Sequence, residues 1–166
     1  MDITFETEGN NESGVFNFRA AGLMIRNGKL LLIRDEGMEH WYLPGGRVRM
    51  FETSRQAVCR ELNEELGIEV SDAELVLVNE NFFTLEGQKV HELGFFFRII
   101  ADCDKLPAED SFERNDSDGI RHYFRFINVS DIKDEFLYPV SLKEHIGEIL
   151  CSSGAVDLVD SELYAK

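Results

Sequence analysis

The sequence is poor in the residues that mark several large classes of protein. Its three cysteines, Cys59, Cys103 and Cys151, are far apart and include no Cys-x-x-Cys pair. This spacing argues against a disulfide framework and against a zinc site built on paired cysteines. No segment approaches the apolar length that crosses a membrane, and the acidic beginning MDITFETEGNNESG lacks the apolar core of a signal peptide. We therefore expect a cytoplasmic protein with reduced, mostly buried thiols.

Basic residues are also scarce. The chain has 17 lysines and arginines against 32 aspartates and glutamates, which gives a formal net charge of -15 at pH 7. Long nucleic acids and anionic membrane surfaces bind through basic patches, so both are disfavoured as partners. A small phosphorylated substrate that arrives with its metal ions is compatible with this charge.

A second domain has no room in a chain of 166 residues, 43% of them hydrophobic. We predict one domain over residues 1–166, with a core at about 17–150 and peripheral tails at 1–14 and 153–166. An acidic segment at 102–119 shows little periodicity and is expected to be a surface loop that borders the substrate opening. A homodimer formed by exchange of the tails and this loop stays open as an alternative to a monomer.

The most informative segment is GRVRMFETSRQAVCRELNEELGI, which runs from Gly46 to Ile68. Thr53 followed by Gln56 three residues later is a capping box and predicts a helix that begins near residue 54. At about 100° per residue, one sector of this helix collects its apolar side chains. The predicted core face consists of Ala57, Val58, Cys59, Leu62 and Leu66.

Three carboxylates occupy the adjoining sector of this helix. Glu61, Glu64 and Glu65 are spaced i, i+3 and i+4, which makes them neighbours that repel one another unless a cation lies over them. Hard divalent cations with oxygen ligands fit that requirement. The alternative is a solvated face held by salt bridges. It is disfavoured because the acids cluster with one arginine and a glycine loop precedes the helix.

Seven fixed positions in this segment, together with its hydrophobic ones, resemble the Nudix box of MutT-like hydrolases. At a background frequency of roughly 5–7% each, seven such positions coincide by chance about once in a hundred million windows. The resemblance extends more weakly over residues 17–150. It implies an α/β protein with the Nudix α/β/α sandwich around a central mixed β-sheet. The seven positions are Gly46, Glu52, Arg60, Glu61, Glu64, Glu65 and Gly67.

The resemblance also implies roles for these residues. Glu61, Glu64 and Glu65 would bind Mg²⁺ or Mn²⁺, and the carbonyl of Gly45, in the glycine loop, would be a further ligand. Glu52 and Arg60 would form a structural salt bridge, so that these two, with Gly46 and Gly67, support the site.

Hydrolysis of a pyrophosphate requires metal ions to neutralise its charge and activate water, and it requires a general base. In the family that base is a box glutamate or an acid outside the box. Glu92, on the predicted strand 90–101, is the outside candidate, against the simpler interpretation of a solvent-facing strand residue. Its neighbour His91 is more simply a hydrogen-bonded scaffold residue.

Four aromatic residues are weaker candidates for substrate contact: Trp41, Tyr42, Phe82 and Phe83. Aromatic faces stack any nucleobase, yet packing against the core is the better explanation for Phe82 and Phe83, and Trp41 and Tyr42 divide between packing and a substrate wall. The motifs downstream of the box that mark ADP-ribose, dinucleoside-polyphosphate and NADH pyrophosphatases are absent, so substrate identity stays undecided.

The resulting hypothesis is metal-dependent hydrolysis of a pyrophosphate bond in a nucleoside diphosphate linked to another moiety, such as a nucleoside triphosphate. The site would take a small nucleotide, and its most probable essential residue is Glu64 or Glu65. The alternative from another class is a Nudix-fold sensor that binds a nucleotide or sugar nucleotide without turnover. Isomerase chemistry on an isoprenoid diphosphate needs cysteine and histidine features that are not evident.

Further elements follow from local patterns. Asn27-Gly28 is a strong hairpin signal between predicted strands at 16–25 and 29–34. Strands are also expected at 74–81, 90–101 and 122–129, with a tight turn at Glu86-Gly87. A second capping box, from Ser141 to Glu144, predicts a helix that ends near Cys151.

Overall fold

The computed structural model describes residues 4–9, 12–85, 87–115 and 119–161, with the side chains of residues 4–9, 12 and 13 left undescribed. Glu86, one half of the predicted tight turn, lies outside these residues. Within them the chain forms ten β-strands and two α-helices. In chain order these are β1 (Thr4–Gly9), β2 (Glu12–Leu23), β3 (Ile25–Arg26), β4 (Lys29–Asp35), β5 (Gly45–Arg47), α1 (Ser54–Leu66), β6 (Val70–Leu85), β7 (Gln88–Ala101), β8 (Ser111–Asn115), β9 (Arg121–Asn128), α2 (Val140–Cys151) and β10 (Val156–Ser161).

The strands form two sheets. The larger follows the order β1-β2-β7-β6-β10, with β5 also paired to β2, and the smaller follows β3-β4-β9-β8. Strand β2 is parallel to β7, and β6 is parallel to β10, whereas the other pairs are antiparallel. The mixed sheet that the sequence predicted is therefore confirmed.

The helices cover opposite faces of this β layer. One apolar cluster joins α1 to Ala20 of the larger sheet and Leu31 of the smaller one. A second cluster joins α2 to the neighbouring residues Ala21 and Leu30. Because successive side chains of a strand point to opposite faces, this alternation places α1 on one side and α2 on the other. The predicted α/β/α architecture is confirmed.

The predicted hairpin is present, although one of its strands is shorter than expected. Asn27 and Gly28 have positive φ angles of 52° and 75°, and β3 pairs with β4 on either side of them. The single strand predicted at 16–25 is wrong because the chain interrupts it at Met24. Residues up to Leu23 pair within the larger sheet, while Ile25 pairs with Leu30 in the smaller one.

Three predictions about peripheral segments are wrong. The proposed tails contain β1 and β10, which pair with β2 and β6 at the two edges of the larger sheet. The proposed acidic loop contains β8, which pairs with β9. Local patterns miss such short edge strands because they contain few apolar side chains: β8 packs Phe112, and β10 packs Val156 and Leu158, against the core.

Helix α2 ends at Cys151 as predicted, but Ser141 is not its N-cap. Its N-cap is Pro139 without a side-chain hydrogen bond. Instead, the Ser141 backbone NH donates to Asp160 Oδ1 at 3.0 Å, and the Ser141 hydroxyl donates to Asp160 Oδ2 at 2.5 Å. Strand β10 thus supplies the carboxylate that a local capping box would have supplied.

The three cysteines are free thiols, as expected, but they are more accessible than predicted. Cys59 and Cys103 are half-buried and Cys151 is exposed. None of the helices in the described part of the chain is both long and apolar enough to cross a membrane.

Candidate active site

The loop and helix at residues 45–67 form one end of the site. Thr53 caps α1 and forms the predicted capping box with Gln56, and Gly67 ends the helix in the left-handed conformation at φ 63°. Of the predicted core face, Ala57, Val58, Leu62 and Leu66 are buried. Cys59 is half-buried and packs at the edge of the same cluster. The apolar face of α1 is therefore packed in the core, and the adjoining sector with the glutamates faces the loop.

A bidentate ion pair fixes the helix to this loop. Arg60 Nε and Nη2 donate to the two oxygens of Glu52 at 2.8 and 2.9 Å, and Nη2 also donates to the Arg47 carbonyl at 3.1 Å. These hydrogen bonds raise the pKa of Arg60 and lower the pKa of Glu52. Glu52 and Arg60 thus form the pair that the sequence predicted, and its geometry suits a supporting function.

Two of the three clustered glutamates also contact Arg60. Its Nη1 donates to Glu61 Oε1 at 2.7 Å and to Glu64 Oε2 at 3.1 Å. The Glu61 carboxyl lies against the backbone of Gly46, where an added Cβ would come within 2.4 Å of it. Any other residue at position 46 would therefore push the carboxylate away from the loop.

Glu65 has a different environment. Its Oε2 accepts a hydrogen bond from the Gly45 backbone NH at 3.1 Å. Burial raises the pKa of Glu65 to about 8, and the charges of Glu61 and Asp35 act in the same direction, whereas Arg19 opposes them. A carboxyl with this pKa holds a proton at neutral pH unless positive charge approaches it.

The Gly45 carbonyl, predicted to be a metal ligand, accepts a hydrogen bond from an arginine side chain. Arg19 Nη2 donates to it at 2.8 Å and to the Leu43 carbonyl at 3.2 Å. Gly45 has a φ of 140°, and a Cβ there would lie 2.3 Å from the Ala20 carbonyl oxygen. Only glycine fits where β5 lies against β2. Sequence reasoning missed Arg19, because nothing near it in sequence resembles a motif.

A cleft of about 690 Å³ extends from Arg19 along the α2 side of the larger sheet. Its floor is the sheet, and its walls come from the segments before β5 and before α2. The three clustered glutamates do not line it, and Arg19 connects it to them. The lining residues are Asn17, Arg19, Asp35, Met38, Glu39, His40, Tyr42, Leu43, Arg47, Asn81, Phe83, Thr84, Leu85, Glu92, Phe96, Phe136, Tyr138 and Pro139.

Comparison with known proteins identifies the family of this site. The sequence pattern of the NUDIX domain matches residues 17–144. The chain belongs to the Nudix family.

Curated relatives of this Nudix protein include two pyrophosphohydrolases. The RNA pyrophosphohydrolase of Hydrogenovibrio crunogenus is 39% identical over 157 residues, which cover 76% of this chain and 93% of the relative. The CTP pyrophosphohydrolase of Escherichia coli is 36% identical over 75 residues, which cover 43% of this chain and 54% of the relative. For several relatives the match spans only 36% to 60% of their own length.

Solved structures share the fold at lower identity. The MutT protein of Bacillus halodurans superposes with a TM-score of 0.63 at 16% identity and covers 90% of this chain and 93% of its own. A Nudix hydrolase from Nitrosomonas europaea gives a TM-score of 0.59 at 18% identity and covers 97% and 94%. These similarities support the architecture alone.

The donor chemistry of the Nudix box suits a hard divalent cation. Carboxylate and carbonyl oxygens are the ligands that Mg²⁺ and Mn²⁺ prefer, and burial raises the pKa of Glu65 although Arg19 opposes this effect. Among the described residues, however, no three His, Cys, Asp or Glu side chains converge on a metal position. Binding would require Glu61 or Glu64 to turn from Arg60, and Gly45 to exchange Arg19 for the ion.

The cleft contains Tyr42, Phe83 and Glu92 of the predicted residues but excludes two others. Phe82 stacks on His91 with ring centroids 4.4 Å apart, on the face of the sheet opposite to Phe83 and Glu92. Trp41 lies at a separate shallow pocket of about 380 Å³, where its ring lies 4.9 Å from the Arg34 guanidinium. Strand alternation explains the position of Phe82, whereas Trp41 lies outside the strands, between β4 and β5. The predicted border loop at 102–119 contributes no described residue to the cleft.

Asp35 is a second residue that the sequence did not reveal. It accepts a hydrogen bond from the Tyr42 hydroxyl at 2.5 Å, and its Oδ1 lies 2.6 Å from His122 Nδ1. Burial, together with the hydrogen bond to Asp35, raises the pKa of Tyr42. Asp35 thus orients Tyr42, whose ring lies 5.2 Å from the Arg19 guanidinium.

An aromatic wall faces the sheet across the cleft. His40 lies perpendicular to Tyr138 with ring centroids 5.0 Å apart, and Phe136 lies 6.0 Å from His40 and 5.5 Å from Tyr138. Burial lowers the pKa of His40, although the charge of Asp35 opposes this effect. A mainly neutral imidazole at neutral pH gives the wall an uncharged face suited to a flat ring.

Proposed function

We propose that this Nudix protein hydrolyses a pyrophosphate bond in a small nucleotide in which a nucleoside diphosphate is linked to a further group. The observation that carries the proposal is the juxtaposition of Glu65 with the cleft through Arg19. One end offers three clustered carboxylates, of which Glu65 makes no ion pair among the described residues, and the other offers room for a nucleoside. The relatives named as pyrophosphohydrolases support this class of reaction without fixing the substrate.

Mg²⁺ or Mn²⁺ would be held by Glu61, Glu64 and Glu65, with the Gly45 carbonyl as a further candidate. Bound there, the ion would supply the positive charge that neutralises phosphate oxygens and lowers the pKa of water. Arg19 and Arg47, both at the cleft, are placed to contact phosphate oxygens on the nucleoside side. The ion pair of Glu52 with Arg60 holds the loop and α1 in a fixed relative position while these contacts form.

Two acids outside the box stand near the substrate path. Glu92 was the candidate for the general base, and it lines the cleft. Asp35 also lines the cleft, and its charge acts on Glu65. A box glutamate with an oxygen free of the ion is the other candidate for the base, as the resemblance to the family implies.

The test is a release assay for phosphate and pyrophosphate with Mg²⁺ and Mn²⁺. Its panel holds nucleoside triphosphates, nucleotide sugars, dinucleotides and a triphosphorylated RNA 5′ end. Glu65→Gln keeps the size of the side chain and removes its charge, so turnover should fall by about a thousandfold or more. Glu69→Gln, just beyond the helix, is the matched control and should retain activity. Near-native turnover in Glu65→Gln would remove the central support of the proposal.

A panel without any turnover, combined with micromolar nucleotide binding, would support the sensor instead. The contacts of Arg60 with Glu61 and Glu64 are the observation that favours this second candidate, because they hold two expected ligands on a protein cation.

A further inference from the structure

Three polar residues form a row across the floor of the cleft. Asn17 on β2 lies opposite Glu92 on β7, and Glu92 lies opposite Asn81 on β6. All three line the cleft. Neighbouring strands are about 4.8 Å apart, so the row spans about 10 Å, which is comparable to the width of a purine. This row is distinct from the Nudix box and is built from three segments far apart in the sequence.

One hydrogen bond of Asn17 determines which side-chain atoms of this row are acceptors. Asn17 Nδ2 donates to Glu92 Oε2 at 2.5 Å. A carboxylate only accepts, so the amide nitrogen must face Glu92 and the Asn17 carbonyl oxygen must point elsewhere. That oxygen is buried and has no hydrogen-bond partner within the described part of the chain, and the residue is only 9% exposed. A buried acceptor without a partner is rare and points to a missing donor.

The row lies on the nucleoside side of Arg19. On β2, Arg19 is two residues from Asn17 and points to the same face, and it reaches the Gly45 carbonyl at the phosphate end. Glu92 therefore lies beyond Arg19 as seen from the box glutamates. On the neighbouring strand Phe83 continues the floor, and the aromatic wall of His40, Phe136 and Tyr138 stands across from it. A flat base between these surfaces would present its edge to the row.

We propose that Asn17 and Glu92 read the hydrogen-bonding edge of the substrate's base and select a base with two adjacent N–H donors. The acceptors are the Glu92 carboxylate and the Asn17 oxygen, which has almost no accessible surface in this structure and would have to turn toward the cleft. Among the common bases only guanine places a ring N–H beside an exocyclic amino group. Adenine and cytosine place an acceptor beside the amino group, and uracil flanks its one N–H with carbonyls. In this orientation the exocyclic amino group faces Glu92 and the ring N–H faces the Asn17 oxygen.

This inference rests on the proposed function, and it assigns Glu92 to specificity in place of proton transfer. The two roles differ in what they affect. A base-reading residue changes the preference among bases, whereas a general base changes turnover on every substrate and the pH profile with it.

The experiment measures binding of nucleoside monophosphates to the full chain by titration calorimetry, which needs no turnover. Guanosine and inosine monophosphates differ only in the exocyclic amino group that the row should read. We expect the guanosine form to bind about tenfold more tightly or better, because a hydrogen bond to a charged acceptor is lost in inosine. Equal affinity of the native protein for the two probes would overturn the proposal without any variant.

Variants then locate the preference. Glu92→Gln should bring the affinities for guanosine and inosine monophosphate within about twofold. The reason is that an amide NH₂ donor replaces one carboxylate oxygen that accepts from the base. Glu80→Gln alters a carboxylate on the opposite face of β6 and should keep the native preference. A preference that persists in Glu92→Gln would also overturn the assignment. The ratio compares two ligands on one preparation, so partial unfolding of a variant does not alter it. Failure of the proposed function would instead appear as Glu65→Gln retaining native turnover.

Discussion

The two ends of the site are built in different ways. The proposed phosphate end comes from one continuous stretch, in which loop 45–52 and α1 bring Glu52, Arg60 and Glu61 into contact and hold Glu65 against the Gly45 backbone. The nucleoside end comes from β2, β6, β7 and the segments before β5 and α2. The proposed phosphate end is thus encoded locally, whereas the proposed nucleoside end is assembled from separate strands. A change at one end can therefore leave the other intact.

Arg19 is the exception, because it touches both ends, and removing it should impair both. Arg19→Met loses the charged hydrogen bonds to the Leu43 and Gly45 carbonyls and the positive charge that opposes protonation of Glu65. We expect kcat/KM to fall by about a hundredfold, which corresponds to about 2.7 kcal/mol. Steady-state kinetics on the best substrate of the panel measures this loss of kcat/KM.

The control for Arg19 is an arginine of α1 that lies outside the site. Arg55 pairs with Asp72 at the surface, with more than half of each side chain exposed, so Arg55→Met should leave kcat/KM within about twofold. Less than a tenfold loss in Arg19→Met, with the fold intact, would mean that the two ends work independently.

A change of pH should act on the phosphate end alone. With a pKa of about 8, Glu65 is about one-tenth ionised at pH 7 and nine-tenths ionised at pH 9. A metal ion must displace this proton, so the affinity for Mg²⁺ should rise by about tenfold between these pH values. Titration calorimetry at both pH values measures it.

The same proton has a consequence for stability without metal. The ordinary pKa of a glutamate, 4.5, is below that of folded Glu65. The folded state therefore binds the proton more tightly, and this contribution to stability is complete below pH 4.5, declines as the pH rises above 4.5, and is lost once the pH has passed about 8. Denaturant unfolding should show this decline and its reversal by Mg²⁺. A Glu65→Gln protein should lack both effects, and an equal decline in that variant would assign it to other groups.

The comparison also explains what could be predicted from sequence. The helix start at Thr53, the Glu52–Arg60 pair and the turn at Asn27-Gly28 depend on residues close together in the chain, and all three predictions are confirmed. The sequence did not reveal Arg19, Asp35 and Asn17, because the pairing register of the strands determines which residues each of them contacts. Phe82 and Phe83 show the limit: adjacent residues must face opposite sides, but only the structure shows which side holds the cleft.

The smallest effect should come from the support of the nucleoside end. Asp160 on β10 accepts hydrogen bonds from the Ser141 backbone and hydroxyl and from Asn79 Nδ2, the last at 2.9 Å. Asp160→Asn turns one acceptor into a donor that faces these donors. The free energy of unfolding should fall by about 1–2 kcal/mol, as measured by denaturant unfolding.

Asp157→Asn, at an exposed position of the same strand, is the matched control and should change stability by less than about 0.5 kcal/mol. Because Asp160 supports the start of α2 next to Pro139 and Tyr138, its loss should weaken nucleotide binding before it alters turnover at saturation. If Asp160→Asn lowered kcat instead and left KM unchanged, the two ends would be coupled through the sheet. Asp160 lies outside the Nudix box, so this result would show that the locally encoded phosphate end depends on the assembled nucleoside end.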